Sequence, residues 1–489
     1  MKYICNIEKN INTDKINEMS KLFNLDSNLV GLLFSRGINS AEKIKRFLNP
    51  SLTDLNDPFL FEDMQQAVEL IEKHIANNSK ILIFGDYDVD GISASAILIK
   101  YFNSIGADVF NYMPNRYEDG YGLSIETLQK IFITNKPNLI ITVDCGITAV
   151  EEVEFIKGLG IDIVVTDHHE RAEQLPNCLI INPKVSQTYP FNGLCGAGVA
   201  LKLVQALAGI TTASEYLPIC AIATIADIVE LLEENRTIVY LGLKNLSKLP
   251  TGVLKLMHEL GLNENNCKAS DIAFKLAPKI NASGRMGSAE TSLELYMEEN
   301  QNNIKKLCNQ ILEFNNQRQQ LCDKVYTDVK QELKNSNIFR ISAIVMSSPE
   351  WDSGILGIVS ARISEEYHRP TFLFSQVNDE LIGSCRSVNG VNVHTLLSNM
   401  SHLLTKFGGH PMAAGLTLKV EKYDEFVRLT NEYVAENLNK VDFLPTKNYD
   451  FELDDNDELI LSKKAKNLYK RGKTKIKKFF LLNKKCDFG

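Results

Sequence analysis

The sequence predicts an α/β protein whose first domain is built on a parallel sheet. Three observations predict it. Short unbroken apolar runs, KILIF (80–84), NLIITV (138–143) and IDIVVT (161–166), recur between stretches of helical periodicity, as strands buried on both faces do. Each run ends in an acidic motif: GDYDVDG (85–91), VDCG (143–146) or TDHH (166–169). A second alternation of strand and helix begins at ISAIVMSS (341–348), beyond a long polar segment. At 489 residues the chain is too long for one ordinary domain, and length alone suggests about three.

Taken in order, LVGLLFSRGI and AEKIKRFL in the first fifty residues predict short amphipathic helices. KILIF ends at Gly85, and SASAILIKYFNSIG follows with helical periodicity and a terminal glycine. ADVFNYMP predicts the next strand, before NLIITV and IDIVVT. From about 193 to 335 the pattern is mostly helical. The stretch 292–333 lacks Gly and Pro and predicts one spacer helix with a single apolar stripe. The domains expected are an N-terminal helical region (1–50), a catalytic parallel-sheet domain (51–235), a helical region with a long connecting helix (236–335), a smaller α/β domain (336–425) and a C-terminal region with a basic tail (426–489). No internal repeat is evident.

Composition is that of a globular protein with ample core material, 44% hydrophobic and 23% charged. No run of about 18 apolar residues occurs, so no membrane span is expected. The N-terminus lacks the basic-then-apolar layout of a secretory signal. Ten cysteines are scattered without a CxxC pair, which argues against a zinc ribbon or a disulfide framework and for a reducing cytoplasm. Net charge is −8, yet 463–489 carries eleven Lys/Arg and one Asp. The acidic body argues against a simple nucleic-acid coat while leaving room for a basic groove within it. The tail reads first as a solvated basic segment.

The acidic motifs carry the chemistry. In an open parallel sheet, ligands bind beyond the carboxyl ends of the strands. Asp86, Asp88 and Asp90, then Asp144, then Asp167, His168 and His169 therefore converge on one edge. ATIADIVEL adds Asp227 among apolar residues. Such carboxylates repel, and burial disfavours their charge, so either their pKa values rise or a cation neutralises them. Oxygen-rich ligands with one or two imidazoles suit Mn²⁺ or Mg²⁺. A carboxylate shared by two ions would make a two-metal site, suited to in-line displacement at phosphorus. The plainer readings are weaker. DxDxDG resembles a calcium loop, but Ile97 stands where that loop needs Glu. A helix N-cap would explain Asp86 alone, though not three loops together. LCGAG (194–198) has no phosphate-loop Lys and reads as a close-packed helix start.

DYDVDG, VDCG, TDHH and IADIVEL, in this order, resemble the DHH phosphoesterase superfamily. Further segments, MPNRYEDGYGLS (113–124), LCGAGVALKL (194–203), APKINASGRMG (277–287), WDSGILGIVSARI (351–363), GSCRS (383–387) and FGGHPMAAG (407–415), are similar to those of the RecJ single-strand-specific exonucleases. The resemblance covers about residues 30–425. It implies a DHH domain joined by a long helix to a smaller DHHA1 domain, with a cleft between them. It also implies degradation of single-stranded DNA from the 5′ end in repair and recombination, with two Mn²⁺ or Mg²⁺ ions. By motif, Asp88, Asp90, Asp144, His168 and Asp227 would ligate metal, with Asp144 the candidate bridge and Asp86 and His169 in or beside that set. Arg116, Ser384 and Arg386 would form a 5′-phosphate pocket, and Arg285 and His410 would line the substrate path.

Arg suits a terminal phosphate through bidentate hydrogen bonds. Gly408 and Gly409 would let backbone approach substrate closely. Without the family, GSCRS and GGHP read as exposed turns. The pair His168–His169 stands at a strand end, where successive side chains point to opposite sides, so only His168 is expected to reach the metal. Relatives carry a C-terminal oligonucleotide-binding barrel, for which the last sixty residues show no clear pattern, so weaker and more salt-sensitive strand binding is expected. Two other functions compete: a DHH phosphodiesterase or phosphatase acting on short oligonucleotides or small nucleotides, and a non-catalytic DNA-binding scaffold. A cytoplasmic monomer is expected, acting on single-stranded DNA without a membrane, with a single-strand-binding protein or helicase as candidate partner.

Overall fold

After β1 (Lys2–Cys5), three helices span Thr13–Phe23, Ser27–Ser35 and Ala41–Leu48. The side chains of Asp26 and Ser40 cap the second and third by accepting from Asn28 N and Lys43 N. Val30, Leu33, Ile44 and Phe47 close a small core of their own. The protein is seen here as a computed structural model that describes residues 2–5, 13–116, 118–120, 122–336, 338, 341–438 and 446–449. FELDDNDELIL and the basic tail from 463 lie outside the described residues.

The first sheet holds β2 (Ile81–Gly85), β3 (Val109–Tyr112), β4 (Leu139–Val143), β5 (Asp162–Thr166) and β6 (Leu179–Ile181). It is wholly parallel, in the order β3-β2-β4-β5-β6. Its runs are apolar throughout because both faces are covered. Ile81, Ile83, Ile141, Val143 and Val164 join the core beneath helices Met64–Ala76, Val89–Ser104 and Gly196–Ala213. Leu82, Phe84, Ile140, Ile163 and Val165 join a second core beneath Ile125–Thr134 and Val150–Gly158. The chain places β3 on one side of β2 and β4 on the other. The order therefore reverses between β2 and β4, and a crevice opens beyond their carboxyl ends.

One expectation needs correction within this unit. The stretch 292–333 is not one helix. Ala289–Met297 ends, and Gln301–Asn335 begins after a break. Asn300 Oδ1 accepts from Asn302 N at 2.9 Å and Asn303 N at 3.3 Å, a local cap that competes with continuous helix. Gly196–Ala226 is long and apolar enough to cross a membrane by composition. Gly209 at φ +78° interrupts it, and its two helices pack into the core of the sheet domain.

The described chain divides into two compact units, one within Cys5–Phe314 and one formed by Asn315–Asn448 together with residues 2–4, with the helix Gln301–Asn335 running from one into the other. The second unit carries β7 (Ile344–Ser348), β8 (Thr371–Val377), β9 (Glu380–Arg386), β10 (Leu404–His410) and β11 (Ala413–Lys419), in the order β10-β11-β9-β8-β7. β7 and β8 are parallel and the remaining pairs antiparallel, so the α/β expectation becomes a mixed sheet. One face packs on Val393–Asn399 and Tyr423–Asn437. The other packs on Leu356–Tyr367 and the end of the long helix. Tyr423–Asn437 runs across residue 425, and its Phe426 and Val434 are fully buried. A short strand β12 (Thr446–Tyr449) pairs with β1.

Candidate metal centre

The register of the first sheet brings the acids together. Gly85 pairs with Val143 and Val143 with Thr166. The next residues are Asp86, Asp144 and Asp167, one at the carboxyl end of each of three adjacent strands. Asp144 N still donates to Thr166 O at 3.0 Å, but Asp144 itself turns to φ +62°. That left-handed conformation is tolerated by Asp far better than by most residues. Gly196 packs directly on it: a Cβ there would lie 2.6 Å from Asp144 Oδ1. LCGAG is accordingly a close-packed helix start.

The helix cap is Asp88, not Asp86. Asp88 Oδ1 accepts from Asp90 N at 2.8 Å and Gly91 N at 3.1 Å, at the head of Val89–Ser104. Asp86 lies one step earlier, buried, with an Oδ1 that has no hydrogen-bond partner. Gly91 is required beside it, because a Cβ would meet Asp86 O at 2.4 Å. Asp90 reaches across to the next helix. Its two oxygens accept from Gly196 N at 2.6 Å and Ala197 N at 2.7 Å, where the helix dipole favours a negative charge. Asp227 closes the cluster from the end of Leu217–Ala226.

His168 Nε2 sits amid three carboxylates, 3.1 Å from Asp144, 3.7 Å from Asp90 and 3.8 Å from Asp227. The expectation that the two histidines diverge is overturned. Their ring centroids are 4.5 Å apart, and both rings reach Asp144. The reason is local. β5 ends at Thr166, and Asp167 Oδ1 then accepts from His168 N at 2.7 Å and His169 N at 3.1 Å. That turn abolishes the two-residue alternation of a strand. Asp167 Oδ1 also engages His169 Nδ1 at 2.8 Å, while its Oδ2 accepts from Ile147 N at 2.9 Å. The sequence reading gave Asp167 no role of its own. Its place before the histidine pair was the available signal.

Burial dominates the electrostatics. It raises Asp86 to about 8, with repulsion from Asp88 adding to the effect, and raises Asp90 and Asp144 well above the usual carboxylate range. Burial, with the charge of His169, pushes His168 down to about 3, leaving it neutral with a lone pair to give. Burial opposes charge on His169 too, but the Asp167 carboxylate prevails and raises it to about 9. Asp167 is itself held low, the bonds from His169 outweighing its burial. Among the described residues, three groups have ligand atoms within 4.8 Å of one another: Asp86 with Asp88 and Asp144, Asp90 with His168 and Asp227, and Asp144 with both histidines. The donors are carboxylate oxygens and imidazole nitrogens, and Asp86 and Asp144 each keep a buried oxygen without a hydrogen bond. That set fits a hard divalent cation such as Mg²⁺ or Mn²⁺.

Arg116 lies beside this cluster, and Arg285 ends the helix Ala277–Arg285, whose Gly284 packs on Tyr87. The Arg116 guanidinium is 5.4 Å from the centre of the Tyr87 ring. Ser384, Arg386 and His410 belong to the second unit. There GSCR is not a turn but the last four residues of β9, an inner strand, with Ser387 just beyond it. Cys385 is buried on one face, and Arg386 Nη1 donates to Ser384 Oγ at 3.4 Å on the other. Gly357, in the first turn of Leu356–Tyr367, faces both: a Cβ there would lie 3.1 Å from Ser384 Oγ and 3.2 Å from Arg386 Nη2. Gly408 and Gly409 also lie in a strand, β10, ahead of the turn. Gly409, at φ +145°, is required by its cross-strand neighbour, since a Cβ would meet Ala413 O at 2.4 Å. His410 is exposed at the end of that strand.

A parallel sheet with this acid and histidine edge, followed by a mixed-sheet domain, defines a phosphoesterase of the DHH type. The family model for the DHH family, N-terminal domain, matches residues 80–229, and that for the DHHA1 domain matches 340–436. The chain belongs to the RecJ family of single-stranded-DNA-specific exonucleases. It is 36% identical to RecJ of Bacillus subtilis (strain 168) over 442 residues, covering 89% of this chain and 56% of that protein. It is 32% identical to RecJ of Haemophilus influenzae over 427 residues, covering 82% of this chain and 73% of that protein. The crystal structure of Thermus thermophilus RecJ in complex with Mn²⁺ superposes with a TM-score of 0.80 at 27% identity, covering 93% of this chain and 64% of that one. The chain thus spans little more than half the length of its Bacillus subtilis relative.

Proposed function

We propose that this chain hydrolyses single-stranded DNA from its 5′ end in a reaction that needs a divalent cation, within DNA repair and recombination. Family membership supports the reading. The observation that carries it is the pair of buried, unbonded oxygens on Asp86 and Asp144 at the crevice between β2 and β4, where a cation can supply the missing partner. Asp90, His168 and Asp227 would hold one Mn²⁺ or Mg²⁺ ion, Asp86 and Asp88 a second, with Asp144 shared. When bound, such ions polarise the phosphoryl oxygens and lower the pKa of an attacking water.

The protein's own residues do the rest. Asp167 keeps His169 oriented through the Nδ1 contact, so that its ring can meet a phosphate beside Asp144. Asp90 ties the cluster to the helix Gly196–Ala213 and fixes its geometry. Arg116, with Ser384 and Arg386, would bind the 5′-terminal phosphate, and Arg285 and His410 would line the path of the strand. None of the described cysteines is in a disulfide, which fits work in a reducing cytoplasm. A single-strand-binding protein or a helicase would present suitable strands to a monomer.

The test is a time course on strands labelled at either end, with Mn²⁺, with Mg²⁺ and with chelator. Early release of 5′ mononucleotides, only with cation, is expected. Equal loss of label from both ends would exclude the polarity, and turnover in chelator would exclude the cation. A preference for strands of two to five nucleotides would instead favour a small-oligonucleotide phosphodiesterase.

A further inference from the structure

The DYDVDG loop contributes more than carboxylates. Tyr87 stands between Asp86 and Asp88, half-buried, and two cationic segments are laced around it. The Arg116 guanidinium lies over its ring at 5.4 Å, within the range of an attractive cation–π contact. Arg285 stands at the end of the other segment, next to Gly284. The helix Ala277–Arg285 ends hard against Tyr87: a Cβ on Gly284 would lie 2.1 Å from Tyr87 O, so only glycine allows that approach. Asn281 Oδ1 accepts from Val89 N at 3.0 Å. The two arginine segments are also tied to each other, with Asn115 Nδ2 donating to Gly287 O at 2.9 Å. The Arg116 loop is braced in turn by Asp119, which accepts from Asn115 N at 2.8 Å, Tyr112 Oη at 2.9 Å and Thr127 Oγ1 at 3.0 Å.

From this arrangement we infer that Tyr87 is a positioning residue. Its ring holds the Arg116 guanidinium at the rim of the carboxylate cluster, for a phosphate of the bound strand. Arg116 would otherwise be drawn toward the neighbouring acid Asp86. An aromatic face competes for a guanidinium without neutralising it, so Arg116 stays available to a phosphate. The inference rests on the phosphate-binding role proposed above for Arg116, and its test does not depend on turnover.

The probe is the dinucleotide pdTpdT, titrated in chelator so that no hydrolysis occurs. Tyr87→Phe keeps the ring and is expected to bind within about twofold of the unaltered chain. Tyr87→Leu removes the ring and is expected to bind about tenfold more weakly, the scale of one desolvated cation–π contact. Adding Arg116→Gln to Tyr87→Leu should cost little more, because the two act as one unit. With Mn²⁺, Tyr87→Leu should raise KM for a 5′-phosphorylated strand far more than it lowers kcat. Equal binding by Tyr87→Leu and the unaltered chain would overturn the inference, as would full additivity with Arg116→Gln or failure of the unaltered chain to bind pdTpdT. Ring-dependent binding by a chain that digests no strand would uphold it and refute the proposed activity instead. Matched circular dichroism of the variants separates loss of the contact from loss of the fold.

Discussion

Asp144 concentrates the chemistry and the strain of the site in one residue. Its backbone is left-handed, its carboxylate is buried, and its Oδ1 lies 3.1 Å from His168 Nε2. Asn tolerates the same backbone as Asp, so Asp144→Asn removes the charge without adding strain. We expect turnover of a 5′-labelled strand to fall by at least ~100-fold, the scale of losing one preorganised electrostatic contact, with melting of the metal-free protein little changed. A variant that kept its rate would remove Asp144 from the machinery. Glu62 shows the same logic away from the site. It accepts from Ser186 Oγ at 2.5 Å, Gln187 N at 2.8 Å and Thr188 N at 3.1 Å. Burial works against its charge, but these bonds prevail and hold it at about 2. A carboxylate depressed in the folded state stabilises above its unfolded pKa, and that contribution fades as pH falls through the folded value. Glu62→Gln should therefore melt below the unaltered chain at pH 7, and the gap should narrow between about pH 4.5 and pH 2. A gap constant with pH would show that the carboxylate charge is not what holds this loop.

At the scale of elements, the site is an intersection of strand ends with helix starts. β2 delivers Asp86, β4 delivers Asp144 and β5 delivers the Asp167 turn, while Gly196–Ala213 meets Asp90 with its first two N–H groups. That last helix is pinned by a buried ion pair. Lys202 and Glu234 are both almost fully inaccessible and in direct contact. Lys202 Nζ also donates to Asn56 O at 2.8 Å, and Glu234 Oε1 accepts from Asn56 N at 2.8 Å. Such a pair adds little over an apolar pair, but breaking it strands a buried charge. Lys202→Met should lower unfolding free energy by about 3 kcal/mol, read from urea midpoints at unchanged m-value. A loss below about 1 kcal/mol would mean that water reaches Glu234 once the lysine is gone.

For the molecule as a whole, an uncompensated cluster of carboxylates is a liability that a cation removes. A ligand bound only by the folded state stabilises it by about 2.7 kcal/mol at a hundred times its Kd. Mn²⁺ should raise the melting temperature in a concentration-dependent way, and chelator should reverse the rise. Asp144→Asn should blunt the response. An equal response in that variant would place the bound ion elsewhere.

The local patterns in the chain were enough to specify the parallel sheet, because runs such as NLIITV have no polar face and must be covered twice. They also placed the acids at strand ends, because a sheet with helices on both faces leaves only that edge for ligands. What they could not specify was the direction of side chains where regular structure stops. The divergence expected of His168 and His169 follows from strand periodicity, and periodicity ends at Thr166, where the Asp167 carboxylate captures two backbone N–H groups. The cap at Asp88, the helix break at Asn300 and the placement of GSCR within β9 are similar cases. Each is decided by a competition between local hydrogen bonds and long-range partners that no single stretch contains. The residue types were legible in the sequence. Tertiary structure alone decided which oxygens are left buried and unbonded, since that depends on how strands about 60 residues apart align.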